Sequence, residues 1–499
     1  MKDIEQPTIN SIISAIPLVG APYVTDKHDL NVSLNTLARN TGYIPKLIEN
    51  IEKHDHRLNL LIDAGFYSKI SQRLLSRQNL TFDEAFCVST FVASGTNIQL
   101  KLALEKYGAQ FPPSSTHDRQ ATALLTLMSA KEAYQSLHGH EIAGLVSGVL
   151  ELDTIVRLPA NEPVLCFGGM GGDKGYGFSD GSKLFSLSTL AAFATSLSGL
   201  THKHHSYPNT SKVAGQTTLE EFGARSDFTC TGEMSKLFNK TSLVMTSCHS
   251  TRTIHALSHV LRGETINHLI GPLAFTMDSD VALQPFIGVN EKVHPQTVIE
   301  AILTMQSEDV QSYDRGVVFC GLSKPFHELD KDELKKLSNP TSYYNDLAVK
   351  DLVRLDEIAP PPYATLSGFF CDGDFLGNYV LSAEDFYPKS IIDAIDKEEL
   401  LIPNRYNDII DANHTALAGA DEQKTRYLAM TVGLANFMRF SLHEDGALDM
   451  QSRRVNRDML RAHTATAYND LKLGRAHAKM QEYCKETQAI TPSMGCHLR

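Results

Sequence analysis

Residues 168–181 read GGMGGDKGYGFSDG, seven glycines in fourteen positions. Such a run has almost nothing to bury and tolerates positive φ, so it must be a loop whose backbone can approach another group closely. Before it stands VLCF (164–167), an apolar run of strand length. After it stands SLSTLAAFATSLSGL (186–200), which reads as a helix capped by Ser186 or Ser188. A strand, a glycine loop and a helix start in that order can form a nest of free N–H groups, to which the helix adds its dipole. The functional reading is a cradle for phosphate or pyrophosphate; the other is a glycine-rich surface loop. The run is neither a GKS/GKT phosphate loop nor a G-x-G-x-x-G dinucleotide fingerprint, because Asp173 interrupts it.

The chain of 499 residues is too long for one core at roughly 100–200 residues per domain. An N-terminal helical arm is expected over 1–68. In the next stretch, Ile70, Leu74 and Leu75 share a helical stripe. Thr81 with Glu84 forms a capping box, and helical stretches follow at about 119–132 and from His138 through EIAGLVSGVLEL. These place a small helical domain over 69–158, to which 249–263 is a candidate addition. From Pro163 short apolar runs (SLVMT, INHLI, PFIGV, GVVFC) alternate with helical stretches, one of them opening at Pro295. That alternation predicts an α/β domain with a mainly parallel central sheet over 159–484. Two long amphipathic stretches, 425–440 and 459–483, close the domain, and 485–499 reads as a tail.

Four further segments carry a resemblance. After Gly169-Met170-Gly171-Gly172-Asp173 come Ser186-Leu187-Ser188-Thr189, then Lys203-His204-His205-Ser206, then Leu219-Glu220-Glu221-Phe222-Gly223. Leu355-Asp356-Glu357-Ile358-Ala359-Pro360 stands downstream, followed by YVLSAEDF. In this order they resemble the G-T-G-G-D, N-I-S-T, K-H-G-N, L-E-x-x-G and L-D-E-I-S-P motifs of the anthranilate phosphoribosyltransferase family. SQRLLSRQNLTFDEA (71–85) is similar to the family's first two helices. The resemblance covers about 70–483, with apparent insertions near 97–117 and 321–352.

The resemblance implies transfer of the phosphoribosyl group of 5-phosphoribosyl-1-diphosphate to an aromatic or heteroaromatic acceptor, with release of pyrophosphate. By it, Gly169, Gly171, Gly172, Asp173, Ser188, Thr189 and Ser211 would bind the donor diphosphate. Ser188, Asp356 and Glu357 would hold magnesium, and Lys203, His204 and Ser206 would serve the reaction. The acceptor side departs from the family. His205-Ser206 replaces Gly-Asn, Tyr207 replaces Arg, and the arginine-bearing helix falls near His259, with Arg262 three residues away. His205, Tyr207, His259 and Arg262 are therefore the acceptor-side candidates. A carboxylate would want a guanidinium where His259 stands, so the acceptor is expected to differ from anthranilate. The resemblance also implies a homodimer through the helical domain.

Two other readings stay open. A non-catalytic paralogue would explain the altered acceptor loop but not the retained Asp356-Glu357. A nucleoside phosphorylase would need a Ser-Gly-Arg after Lys203 that is missing. The net charge of -12 weighs against nucleic acid or an anionic membrane as partner. Eight cysteines without a Cys-x-x-Cys pair weigh against a disulfide scaffold or a cysteine zinc site. Adjacent His204 and His205 would point to opposite faces of a strand and could not share a metal. His54-Asp55-His56 reads as a solvated helix edge. No signal-like start or long apolar span is present, so a soluble, cytoplasmic protein is expected.

Overall fold

The computed structural model describes residues 36–37, 39–40, 42–171, 184–205, 213–255, 265–402 and 405–490. The first part is helical. Phe82–Ala93 and Gly139–Leu152 are its central pair, apolar enough to be buried on almost every face. Two glycines let them touch: a Cβ at Gly144 would stand 2.3 Å from the Phe82 carbonyl, and one at Gly148 2.2 Å from Ser89 Oγ. The capping box at Thr81 is formed, Glu84 N donating to Thr81 Oγ1 at 3.2 Å and Thr81 N to the Glu84 carboxylate at 2.8 Å. Around this pair lie Tyr43–Lys53, Phe66–Leu75, Ile98–Lys106 and Ser114–Gln135.

Several expectations change here. The stretch 97–117 contains a helix, Ile98–Lys106, capped by Asn97. The helix expected over 119–132 runs from Ser114 to Gln135. His54 is buried rather than solvated: Nε2 donates to Glu151 at 3.1 Å and Arg57 donates to Nδ1 at 3.1 Å. Only its neighbours Asp55 and His56 face water. The cause is a tight turn at His54, which ends one helix and turns the ring inward before the next begins.

The second part is built on one sheet. Its strands are β1 (Val164–Gly169), β2 (Thr201–His205), β3 (Leu243–Ser247), β4 (Leu283–Gly288), β5 (Arg315–Pro325), β6 (Val353–Leu355), β7 (Tyr363–Cys371) and β8 (Asp374–Leu381). The order is β3-β2-β1-β4-β5-β7-β8, with β6 on β5. The first five strands are parallel and β6 to β8 antiparallel, so the sheet is mainly parallel with an antiparallel edge. The fold is α/β, as the alternating pattern predicts. INHLI is not a strand: Asn267–Leu273 is a helix, with Leu269, Ile270 and Leu273 buried on it. A short, wholly buried apolar run does not distinguish the two states. Glu422–Phe440 is buried nearly all round rather than amphipathic. The stretch 459–483 is two helices, Arg457–Lys472 and Arg475–Ala489, broken where Gly474 takes φ 70°. The second helix runs past 485. Among the described residues no helix is long and apolar enough to cross a membrane.

The two parts meet at Asp153, which is fully buried. Oδ1 accepts from Asn97 Nδ2 (3.0 Å) and Thr253 Oγ1 (2.6 Å), and Oδ2 from the backbone N–H groups of Thr253 (2.9 Å) and Ile254 (2.8 Å). Burial nevertheless pushes its carboxyl up to about 6. A carboxyl raised above its unfolded value costs nothing while protonated and destabilises the fold as it ionises. The penalty is therefore absent below about pH 4 and complete above about pH 6. Relative to Asp153→Asn, the wild type is expected to lose on the order of 3 kcal/mol of stability across that window. Urea unfolding of both proteins at pH 4 and pH 7 checks this; a constant difference would refute it.

Candidate functional site

The parallel strands end on one side of the sheet, and the chain leaves β1 toward β2 but β4 lies on its other flank. That makes the gap between β1 and β4 a switch point, where open α/β sheets bind ligands beyond the carboxyl ends of their strands. Gly169 and Gly288 are register partners there. Their missing side chains make room for one segment. A Cβ on Gly288 would lie 1.5 Å from the Asp356 carbonyl oxygen, and one on Gly169 2.9 Å from Asp356 Oδ2. Asp356 is thus threaded across both strand ends, and Gly171 N donates to its Oδ2 at 2.6 Å. Gly171 takes φ 67°, and its carbonyl accepts from Asn290 Nδ2 at 3.0 Å.

Glu357 reaches the next element. The helix Leu187–Thr195 presents Ser188 in its first turn, and both its backbone N–H and its hydroxyl donate to the Glu357 carboxylate. An acid is favoured at a helix N-terminus. Even so, the Glu357 carboxyl is held above the ordinary carboxylate range, first by burial and then by Asp356 beside it. Lys203 and the Ser188 donors pull it back down. Lys203, buried on β2, is pushed down by burial, while Glu357 and Asp356 push it up. Its Nζ donates to the His204 carbonyl at 2.8 Å. Two carboxylates, a serine hydroxyl and a buried ammonium therefore converge at the switch point. Burial first, and the neighbouring Asp356 second, give Glu357 its raised proton affinity, so two carboxylates stand side by side at this strand end. A hard divalent cation with oxygen ligands fits this donor set.

The histidines of β2 divide as strand alternation requires. His202 and His204 share a face, their rings 5.8 Å apart. Thr246 Oγ1 on β3 lies 2.9 Å from His202 Nε2 and 2.8 Å from His204 Nδ1. His205 points the other way, close to Gly215, which also approaches Thr189 Oγ1. Burial lowers all three imidazoles, so they are neutral at pH 7. Among the described residues no group of three His, Cys, Asp or Glu side chains could hold a metal ion. The structure thus brings together Gly169, Gly171, Ser188, Lys203, Asp356 and Glu357, with Thr189, His204 and His205 adjoining. Gly172, Asp173, Ser206, Tyr207, Ser211, His259 and Arg262 lie outside the described residues.

No protein-family model matches the sequence, and no curated protein matches it. Solved structures do match. The chain is similar to anthranilate phosphoribosyltransferase from Thermus thermophilus (17% identity, TM-score 0.53, covering 84% of this chain and 99% of that one). It is similar to the Saccharomyces cerevisiae enzyme in complex with PRPP and Mg (14%, 0.54, 86% and 99%). The same yeast enzyme in complex with 4-fluoroanthranilate also matches (14%, 0.55, 88% and 100%). The chain has the anthranilate phosphoribosyltransferase fold. At these identities the likeness is one of architecture, as a divergent relative would show.

Within that fold the sequence reading passed over residues that hold the site. Asn413 is fully buried and clasps the start of the helix Leu187–Thr195. It accepts from Ser186 N at 2.8 Å and donates to Ser186 Oγ and Thr218 Oγ1, each at 3.2 Å. The signal was a polar residue inside the buried stripe Ile409, Ala412, Asn413, Ala416 of the helix Tyr406–Leu417. Thr246 and Asn290 carried no such signal.

Proposed function

We propose that the chain is a magnesium-dependent phosphoribosyltransferase that moves the phosphoribosyl group of 5-phosphoribosyl-1-diphosphate to an aromatic or heteroaromatic acceptor, releasing pyrophosphate. The observation that supports it most is the convergence of Asp356, Glu357, Ser188 and Lys203 on a glycine-lined strand end. A pure binding protein has no need of two carboxylates held against each other beside a buried lysine.

In this reading the donor is already activated, and the chain has to bind, orient and neutralise it. The N–H groups at the end of β1 and the first turn of the helix Leu187–Thr195, with Ser188 and Thr189, face the diphosphate. Gly172, Asp173 and Ser211 join them on the sequence resemblance. Lys203 opposes the negative charge that grows as the C1–O bond breaks. Asp356, Glu357 and Ser188 would hold magnesium, which when bound draws charge from the leaving diphosphate. His204, neutral and with Nε2 unpartnered among the described residues, would face the side from which the acceptor's nucleophile forms its bond to C1. A homodimer through the helical part belongs to the same reading. Leu75 and Tyr134, on Phe66–Leu75 and Ser114–Gln135, are strongly exposed and available for it.

Calorimetric titration with 5-phosphoribosyl-1-diphosphate tests the donor half. Binding is expected with magnesium, to weaken at least tenfold without it, and to be lost in Asp356→Asn/Glu357→Gln. Absence of binding in both conditions would defeat the transferase reading and turn the question to phosphate and nucleosides.

A further inference from the structure

Of the three histidines on β2, two are tied to the fold. His202 Nε2 lies 2.9 Å from both Thr246 Oγ1 and Thr276 Oγ1, and His204 Nδ1 lies 2.8 Å from Thr246 Oγ1. His205 is not tied. It is more than nine-tenths buried, and among the described residues neither of its ring nitrogens has a hydrogen-bond partner. Leaving both polar atoms of a buried side chain unmet is costly. An apolar side chain of similar size would fill the same space without that cost. Packing alone therefore does not account for a histidine here.

The place of His205 in the fold says what the free nitrogens could meet. It is the last residue of β2, at the carboxyl end of the parallel strands. Strand alternation puts its side chain on the face of Lys203, opposite to that of His204. The helix Leu187–Thr195 is the crossover from β1 to β2 and packs on both, with Ser188 and Thr189 in its first turn. Gly215 stands between that turn and His205. A Cβ built on Gly215 would lie 3.0 Å from His205 Cβ and 3.1 Å from Thr189 Oγ1, so no side chain separates the imidazole from the helix start. The N–H groups of a first helical turn lack acceptors within the helix and favour an anion. Burial keeps the ring neutral at pH 7, so it offers one N–H and one acceptor nitrogen.

We propose that His205 is a donor-binding residue, its N–H donating to a phosphoryl oxygen of 5-phosphoribosyl-1-diphosphate held at the start of the helix Leu187–Thr195. This inference rests on the transferase reading. It moves His205 to the donor side from the acceptor side, where the order of the motifs had put it, and it leaves His204 alone toward the acceptor. The resembling K-H-G-N motif has glycine at this position, so the contact is one that this chain adds to the fold.

The test is calorimetry and thermal melting of the full chain with magnesium, on wild type, His205→Leu and His205→Gln. The probes are 5-phosphoribosyl-1-diphosphate, pyrophosphate and ribose 5-phosphate. Leucine keeps the bulk without an N–H, and glutamine restores a donor. His205→Leu is expected to bind 5-phosphoribosyl-1-diphosphate about tenfold or more weakly, the loss of one hydrogen bond to a charged group. It should melt no earlier than wild type, because it removes unmet buried polar atoms. His205→Gln should recover most of the affinity. A matching loss for pyrophosphate assigns the contact to the diphosphate, and one for ribose 5-phosphate assigns it to the 5-phosphate; either supports the proposal. Unchanged affinity in His205→Leu would overturn it, since the ring would then only fill space. A gain would overturn it too, since the ring would then occupy the donor's own place. So would a loss in His205→Leu that comes with earlier melting and that glutamine does not recover. Should His205→Leu fail to fold, His205→Ala takes its place: weaker binding than His205→Gln supports the proposal, and equal binding refutes it. Wild type that binds pyrophosphate but not 5-phosphoribosyl-1-diphosphate would defeat the transferase reading and leave His205 to be judged on pyrophosphate. Wild type that binds none of the probes would defeat both.

Discussion

Gly288→Ala is expected to abolish binding of 5-phosphoribosyl-1-diphosphate and to lower the melting temperature by several degrees. The added Cβ would lie 1.5 Å from the carbonyl oxygen of Asp356 and 2.5 Å from its carbonyl carbon. Both are backbone atoms, so no rotamer change relieves the clash. Gly288 itself is held on both sides, by Gly169 of β1 and Phe319 of β5. The segment carrying Asp356 and Glu357 must therefore move. Its movement breaks the Gly171–Asp356 hydrogen bond and takes Glu357 from Ser188. Overpacking a tight site costs about 1–3 kcal/mol, and a backbone clash belongs at or above the top of that range. Gly232→Ala is the control, because a Cβ there meets its nearest neighbour, Cys230 Sγ, at 4.0 Å. Calorimetry and thermal melting of the two variants are the measurement. Donor affinity unchanged in Gly288→Ala would mean that Asp356 does not cross the end of β4.

Much of this architecture was legible because local signals and global fold agree. VLCF, SLVMT, PFIGV and GVVFC are strands, and Pro295 opens the helix Pro295–Ser307. Errors cluster where a segment is buried on all sides. INHLI carries no alternation to separate helix from strand, and Glu422–Phe440 shows no polar face once neighbours enclose it. His54 was misread for another reason: its burial depends on Glu151, almost a hundred residues on, which no local window contains.

The site divides in the same way. The glycine loop announced itself through its own chemistry, whereas Asp356-Glu357 alone reads as a solvated charged pair, and it was the order of the resembling motifs that placed Gly169, Ser188, Lys203 and Asp356 in one neighbourhood. The supports did not announce themselves. Asn413 meets Ser186 across 227 positions, and Thr246 matters through its register opposite His204.

Far from the site, the helical part carries a second large expected effect, at Glu141. Its carboxylate is fully buried and accepts from Lys131 Nζ at 2.6 Å on both oxygens, from Leu80 N at 2.8 Å and from His138 N at 3.0 Å. It thereby joins the helices Ser114–Gln135 and Gly139–Leu152 to the entry of Phe82–Ala93. Glu141→Gln keeps the shape but removes the charge that offsets a buried ammonium. Removing one partner of a buried pair costs about 3–5 kcal/mol, because the other charge is stranded. Burial already lowers the proton affinity of Lys131, and Glu141 is what raises it again. Without Glu141 the folded-state value falls further below the unfolded one. The unfolded chain then binds the extra proton over a wider range, so stability rises with pH through that range. The deficit of Glu141→Gln should be largest at neutral pH and shrink toward pH 10. Lys131→Met/Glu141→Gln removes the stranded charge and should recover most of the loss at pH 7. Urea unfolding of the three proteins at pH 7 and pH 9 measures both effects. A double variant no more stable than the single one would assign the loss to the Leu80 and His138 hydrogen bonds instead of to the buried charge.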